Sequence, residues 1–386
     1  MEDFSGYPIH EPRFSTSTSF SVDTENLQRR IDELSRYSDT PAPSVTRILY
    51  SQKDVLARRF IKSIMASSGL SVREDAVGNI FGRWDGHEPE LTAVATGSHI
   101  DAIPYSGKYD GVVGVLGAIE AINVLRRSDF KPKRSLEVIM FTSEEPTRFG
   151  ISCLGSRLLA GNDALANALK GTVDGQSISF FDAARSAGYA TDQDDLSSVF
   201  LKKGSYSAFI ELHIEQGPLL EEEAPASIKV DFEGNGGHAG AVLMPYRNDA
   251  GLAAAELALT VEKHVLESGS IDTVGTVESS LLILADTRDI DEKRRNNDPP
   301  ALSDASIVKA MEAASKELNL NHKLMISRAY HDSLSMARKV TFSQSYPLKD
   351  KKCEGYSHKP EEFSTTGDIA NGVKVLALTL AKLSLA

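Results

Sequence analysis

Residues 96–114 read Thr-Gly-Ser-His-Ile-Asp-Ala-Ile-Pro-Tyr-Ser-Gly-Lys-Tyr-Asp-Gly-Val-Val-Gly and narrow the architectures open to this chain more than any other stretch. They set His99, Asp101 and Asp110 around a turn between an apolar run and a helix of small residues. His-x-Asp followed nine residues later by Asp-Gly is hard to explain as packing. It reads as half of a metal site on an α/β framework, where ligands gather at the carboxyl ends of strands.

The surrounding pattern supports that framework. Asp23 opens a helix with Leu27, Ile31 and Leu34 on one face. A second helix is expected over 54–65, strands over 77–81 and 92–96, a helix over 111–125 and a buried strand over 136–142. Strands alternating with helices predict an α/β domain with a largely parallel sheet. Composition shifts after Glu221-Glu-Glu-Ala-Pro-Ala. Beyond it, strands are expected over 227–232 and 281–286, and an Ala-rich helix over 248–266. Ser303 or Asp304 caps a helix reaching about Leu318, and a last helix covers 368–382. The division expected is an extended arm over 1–22, a catalytic domain of 23–224 with 298–386, and a small α+β insert over 225–297.

Charge and composition remove other classes. The 386 residues carry a net charge of −12, which argues against nucleic acid, because a phosphate-binding surface needs clustered Lys and Arg. No apolar run reaches the roughly 20 residues of a membrane span. The N-terminal segment is acidic and has no apolar signal core. Only two cysteines are present, so no disulfide framework is implied.

The missing half of the site is sought among carboxylates and histidines. Glu144-Glu145 follows the buried strand over 136–142, and burying adjacent carboxylates requires a metal or a shared proton. His213 lies in Glu-Leu-His-Ile-Glu, whose alternation puts Glu211, His213 and Glu215 on one strand face. His358 precedes the last helix in a polar loop. His10, His87, His264 and His322 read as surface or filler residues. A nitrogen–oxygen donor set of this kind suits zinc, manganese, cobalt or nickel. A carboxylate shared between two ions would describe a two-metal hydrolytic site.

Six stretches carry a resemblance: GSHIDAIPYSGKYDGVVGVLGAIEA, FTSEEPTRFGISCLGSRLLAG, ELHIEQGPLLE, GNGGHAGAVLMPYRNDAG, AYHDS and GYSHKPEE. The chain resembles the dinuclear-metal amidohydrolase family of aminoacylase, carboxypeptidase G, allantoate amidohydrolase and N-carbamoyl amino acid hydrolases. Tyr330, before His331-Asp332, makes it most similar to the plant ureidoglycolate amidohydrolase branch. The resemblance implies that His99, Asp110, Glu145, His213 and His358 hold two divalent ions, manganese first and zinc as the alternative, with Asp110 bridging. It implies that Asp101 orients His99, that Glu144 is the general base, and that His238 reaches the partner subunit's site to stabilise an oxyanion. Gln216, Arg288, Tyr330 and His331 would bind substrate, Arg288 through its fork to a carboxylate.

The implied reaction is hydrolysis of (S)-ureidoglycolate to glyoxylate, ammonia and carbon dioxide. The alternatives are allantoate or an N-carbamoyl amino acid as substrate, or a variant without turnover. The insert would serve as lid and homodimer contact. Relatives reside in the endoplasmic reticulum, with the cytoplasm as the alternative here. Against the family pattern the insert is shortened, and the apolar strand expected between Met336 and Gly355 is replaced by a stretch without β alternation.

Overall fold

The computed structural model describes residues 20–189, 195–214, 250–267, 301–322, 324, 330–340, 342–345 and 357–386. The strands are β1 (Val45–Arg47), β2 (Ser71–Glu74), β3 (Ile80–Trp84), β4 (Ala93–His99), β5 (Ala102–Ser106), β6 (Leu136–Phe141), β7 (Tyr206–Leu212) and β8 (Phe342–Ser345). The helices are α1 (Thr24–Ser35), α2 (Gln52–Ser67), α3 (Val112–Arg127), α4 (Leu154–Leu159), α5 (Asp163–Ala168), α6 (Phe180–Ser186), α7 (Ala250–Glu267), α8 (Ala305–Glu317), α9 (Asp332–Met336) and α10 (Thr366–Leu385). The chain divides into two compact units. One comprises Met1–Pro218, Leu302–His322 and His331–Ala386, and the other Leu219–Ala301 with Lys323–Tyr330.

The first unit is built on a six-stranded sheet in the order β2-β3-β6-β4-β7-β8. β6, β4, β7 and β8 run parallel. β3 is antiparallel to both β2 and β6, so the sheet is mixed, with its parallel half at the site. Every residue of β4 and β6 is buried, as strands covered on both faces must be. β1 and β5 form a separate two-stranded antiparallel ribbon.

Helix α3 lies against the sheet because small residues let it approach. A Cβ on Gly114 would come within 2.4 Å of the Leu212 carbonyl and 2.5 Å of Ser98 Cβ. Buried Val115, Leu116, Ile119 and Ile122 of α3 share one core with Val373, Leu376 and Leu380 of α10.

Several expected elements form where their local chemistry places them. Asp23 caps α1 by accepting from Asn26 N, and Leu27, Ile31 and Leu34 are its buried face. Asp304 caps α8 by accepting from Ser306 N and Ile307 N. Two expectations are corrected. The strand expected over 77–81 begins only at Ile80, because Asp75 Oδ1 accepts from Val77 N and Asn79 N and closes a turn between β2 and β3. The stretch after Met336 does contain a strand, β8, which pairs in parallel with β7 from Phe209↔Phe342 to Leu212↔Ser345. Backbone pairing to an existing edge requires no apolar alternation.

In the second unit the described residues include helix α7, which falls on the Ala-rich run. Leu252, Leu259 and Leu266 are exposed along it at seven-residue intervals. The strands expected over 227–232 and 281–286, and residues 1–19 of the arm, lie outside the described residues.

Candidate metal centre

The parallel strands deliver their carboxyl ends to one place. His99 ends β4, Glu144 and Glu145 follow β6, and His213 follows β7. Asp110 sits just before α3, and His358 lies in the loop before α10. His213 lies beyond the strand rather than within it, because β7 ends at Leu212.

Asp110 is the meeting point. Its Oδ1 lies 3.1 Å from His213 Nε2 and 3.6 Å from His99 Nε2. Its Oδ2 lies 3.2 Å from His358 Nε2, which is also 3.2 Å from Glu145 Oε1. His99, Asp110 and His213 thus form one candidate ligand group, and Asp110, Glu145 and His358 a second. In each, the donor atoms lie within 4.8 Å of one another. Asp110 belongs to both. Three imidazoles and two carboxylates, all buried except half-buried His358, fit a pair of hard-to-borderline divalent cations.

Close packing leaves no slack in this arrangement. Gly111 adopts φ +64°, and a Cβ there would lie 2.4 Å from His99 Nε2. Only glycine combines that backbone with that approach.

Asp101 does more than the sequence indicated. Its Oδ1 lies 3.5 Å from His99 Nδ1. The same carboxylate accepts from Glu144 N at 3.2 Å and Glu145 N at 3.0 Å. This side chain therefore lies beside the His99 ring and holds the backbone turn that presents both glutamates, while the Asp101 backbone carbonyl lies 3.2 Å from His99 Nδ1.

Glu144 Oε2 lies 3.8 Å from His99 Nε2, while its Oε1 accepts from Cys153 Sγ at 3.5 Å. Burial, with Glu145, Asp332 and Asp110 nearby, holds the Glu144 carboxyl well above the usual range. Asp110 behaves oppositely. Burial would raise it, but the hydrogen bonds of His213, His358 and His99 hold it well below. Burial would lower His358, but Asp110 and Glu145 outweigh it and push the imidazole up to about 11.

Three supporting groups were not legible in the sequence as site residues. Glu211, read only as a strand-face neighbour of His213, accepts from Ser98 Oγ at 2.7 Å and Ser333 N at 2.9 Å. Glu211, His213 and His331 form a further buried donor group. Glu362 is buried and accepts from the backbone of Tyr109 and Asp110. Ser357 Oγ donates to Asp110 Oδ2 at 3.1 Å.

His331 is buried with its ring 4.3 Å from that of His213. Burial first, then the neighbouring His213, holds it well below its ordinary value, so it stays neutral. Tyr330 is half-buried and belongs to the second unit. Gln216, His238 and Arg288 lie outside the described residues. His87, His264 and His322 are exposed, in keeping with a surface reading.

Residues 95–382 match the peptidase family M20/M25/M40. The chain belongs to this family. The match spans every residue of the centre, and the family implies divalent-metal use.

Among its M20/M25/M40 relatives, the chain is 65% identical to a ureidoglycolate hydrolase of Arabidopsis thaliana, covering 100% of this chain and 92% of the relative. It is 61% identical to a ureidoglycolate hydrolase of Oryza sativa subsp. japonica, covering 100% and 91%. Crystal structures of AtUAH in complex with glyoxylate and with (S)-hydroxyglycine each match with a TM-score of 0.88 at 64% identity, over 96% of this chain and 100% of that one. The Arabidopsis alignment extends over 443 positions against the 386 residues here, so it passes over stretches of that relative with no counterpart in this chain.

Proposed function

We propose that this chain is a divalent-metal amidohydrolase that hydrolyses (S)-ureidoglycolate to glyoxylate, ammonia and carbon dioxide, within purine ureide (allantoin) breakdown. One observation carries the reading: Asp110 presents one oxygen to His99 and His213 and the other to His358, beside Glu145. His99, Asp110, Glu145, His213 and His358 would hold two cations, with Asp110 shared. When bound, such a pair polarises a carbonyl oxygen and makes water more acidic.

The chain's own residues supply the rest. Ionised Glu144 accepts a proton from the attacking water and returns it to the leaving nitrogen. A carboxyl raised by burial is the stronger base once ionised, which suits a group that takes a proton and gives it back. Asp101 keeps His99 and the Glu144-Glu145 turn in place. Neutral His331 offers the ureido group a hydrogen-bonding partner beside His213. By the family resemblance, Arg288 takes the substrate carboxylate, Gln216 and Tyr330 hold the ureido and hydroxyl groups, and His238 stabilises the oxyanion.

Hydrolysis at the ureido carbonyl yields ammonia, carbon dioxide and hydroxyglycine. Hydroxyglycine, a carbinolamine, loses ammonia to give glyoxylate. The two compounds in the AtUAH complexes lie on that one line of chemistry.

We further propose manganese as the ion, with zinc second, and residence in the endoplasmic reticulum, both on the family resemblance. The proposed division has residues 23–224 and 298–386 as catalytic domain and 225–297 as lid. The chain's separation into two compact units supports it. The proposed homodimer contact lies on the insert, supported by exposed Leu252, Leu259 and Leu266. A second reading, a member that binds metal without turnover, draws on the stretches of the Arabidopsis relative without counterpart here.

A substrate panel separates these readings. Metal-stripped protein reloaded with manganese or zinc should release ammonia faster from (S)-ureidoglycolate than from allantoate or N-carbamoyl amino acids. Faster turnover of allantoate would replace the substrate. Metal binding without ammonia release would leave the second reading.

A further inference from the structure

We propose that Glu362 is a positioning residue that locks the loop carrying Asp110 onto the loop carrying His358. This rests on the metal-centre reading above. Glu361 and Glu362 are adjacent, yet only Glu361 is exposed, while Glu362 is 4% exposed. Its Oε1 accepts from Tyr109 N at 2.7 Å and from Asp110 N at 2.9 Å. A buried carboxylate is costly without partners, and the two backbone N–H groups offset part of that cost through Oε1, while Oε2 is buried without a hydrogen-bond partner among the described residues.

The slot it occupies is cut to fit. A Cβ on Gly107 would lie 2.4 Å from Glu362 Cβ and 2.6 Å from its Oε1. The two loops meet a second time through Ser357 Oγ and Asp110 Oδ2, 3.1 Å apart. The ring of Phe363 meets that of Tyr109 edge-on at 6.2 Å. His358 lies four residues before Glu362 on the same short loop, and Glu362 N closes a turn onto Lys359 O at 3.0 Å. Glu362 therefore fixes the spacing between Asp110 and His358, on which a shared carboxylate depends.

The test is a double-mutant cycle on manganese binding, read by calorimetric titration of metal-stripped protein, with metal-free thermal unfolding as the folding control. Glu362→Ala and Gly107→Ala should each weaken manganese affinity about 10–100-fold, as loss of a residue that orients ligands does. The double variant should lose less than the two single losses combined, because both changes act on the bonds from Glu362 to Tyr109 N and Asp110 N. Glu362→Gln should stay close to the native chain, since its amide oxygen accepts the same two bonds. Should Glu362→Ala fail to fold, Glu362→Asp, too short to reach both N–H groups, carries the same expectation.

Unchanged affinity in Glu362→Ala overturns the proposal. So do fully additive losses in the double variant, or a loss in Glu362→Gln as large as in Glu362→Ala. Native protein that binds no manganese would instead remove the metal-centre reading itself.

Discussion

At the scale of single residues, the centre works by opposing environments. Two neighbouring carboxyls, Asp110 and Glu144, are driven in opposite directions, one by three imidazoles and the other by burial among carboxylates. Separated proton affinities of this kind suit the proposed roles of Asp110 as ligand and Glu144 as base. Glu144→Gln should therefore lower kcat by about 10²–10⁴-fold, with little change in KM or in manganese affinity. Steady-state kinetics beside a metal titration checks this.

The same electrostatics give a pH dependence. His358, raised to about 11, stabilises the metal-free fold fully below its ordinary value of 6.5, and that contribution is lost as pH rises through about 11. A cation must displace its proton, so apparent metal affinity should rise about tenfold per pH unit for each proton displaced. Titrations at several pH values measure the slope, and His358→Gln should flatten both trends.

At the scale of elements, what was legible and what was not follows from range. Caps and amphipathic faces are local, so Asp23 with α1 and Asp304 with α8 could be read directly. The buried strands β4 and β6 were legible from short apolar runs, Ala93-Val-Ala in β4 and Val138-Ile-Met-Phe in β6. β1 and β5 are short, and Val45 pairs with Ser106 across the chain, so no local pattern announces them. β8 exists through its parallel ladder with β7, which a stretch as polar as Phe-Ser-Gln-Ser does not advertise. The five proposed ligands could be named together because they fall in stretches that carry the family resemblance; a bare Glu-Glu pair, or His213 or His358 alone, is bland. Glu362 could not, because it sits in an ordinary charged pair and its partner Asp110 lies 252 residues away.

The packing of α3 on α10 separates scaffold from site. Leu376→Ala, at a position 1% exposed, should cost about 2–5 kcal/mol in denaturant unfolding while leaving manganese affinity unchanged.

At the scale of the molecule, the first unit holds every residue of the proposed two-metal group. The second unit carries the proposed dimer contact and, by resemblance, residues that recognise substrate. Leu259→Glu places a charge at an exposed position of the α7 leucine row, which a solvated face would tolerate. It should shift the native assembly toward monomer in sedimentation velocity without loss of metal binding. An unchanged sedimentation profile would remove that contact.

Asp110 is proposed to join two cation sites, and the joined centre to hydrolyse a ureide. The most direct test of this proposal is stepwise manganese reconstitution of metal-stripped protein, with ammonia release from (S)-ureidoglycolate followed at each step. Two equivalents should bind, and release should reach its plateau as the second is taken up. Full release with a single equivalent, or two bound equivalents with no release, would contradict it.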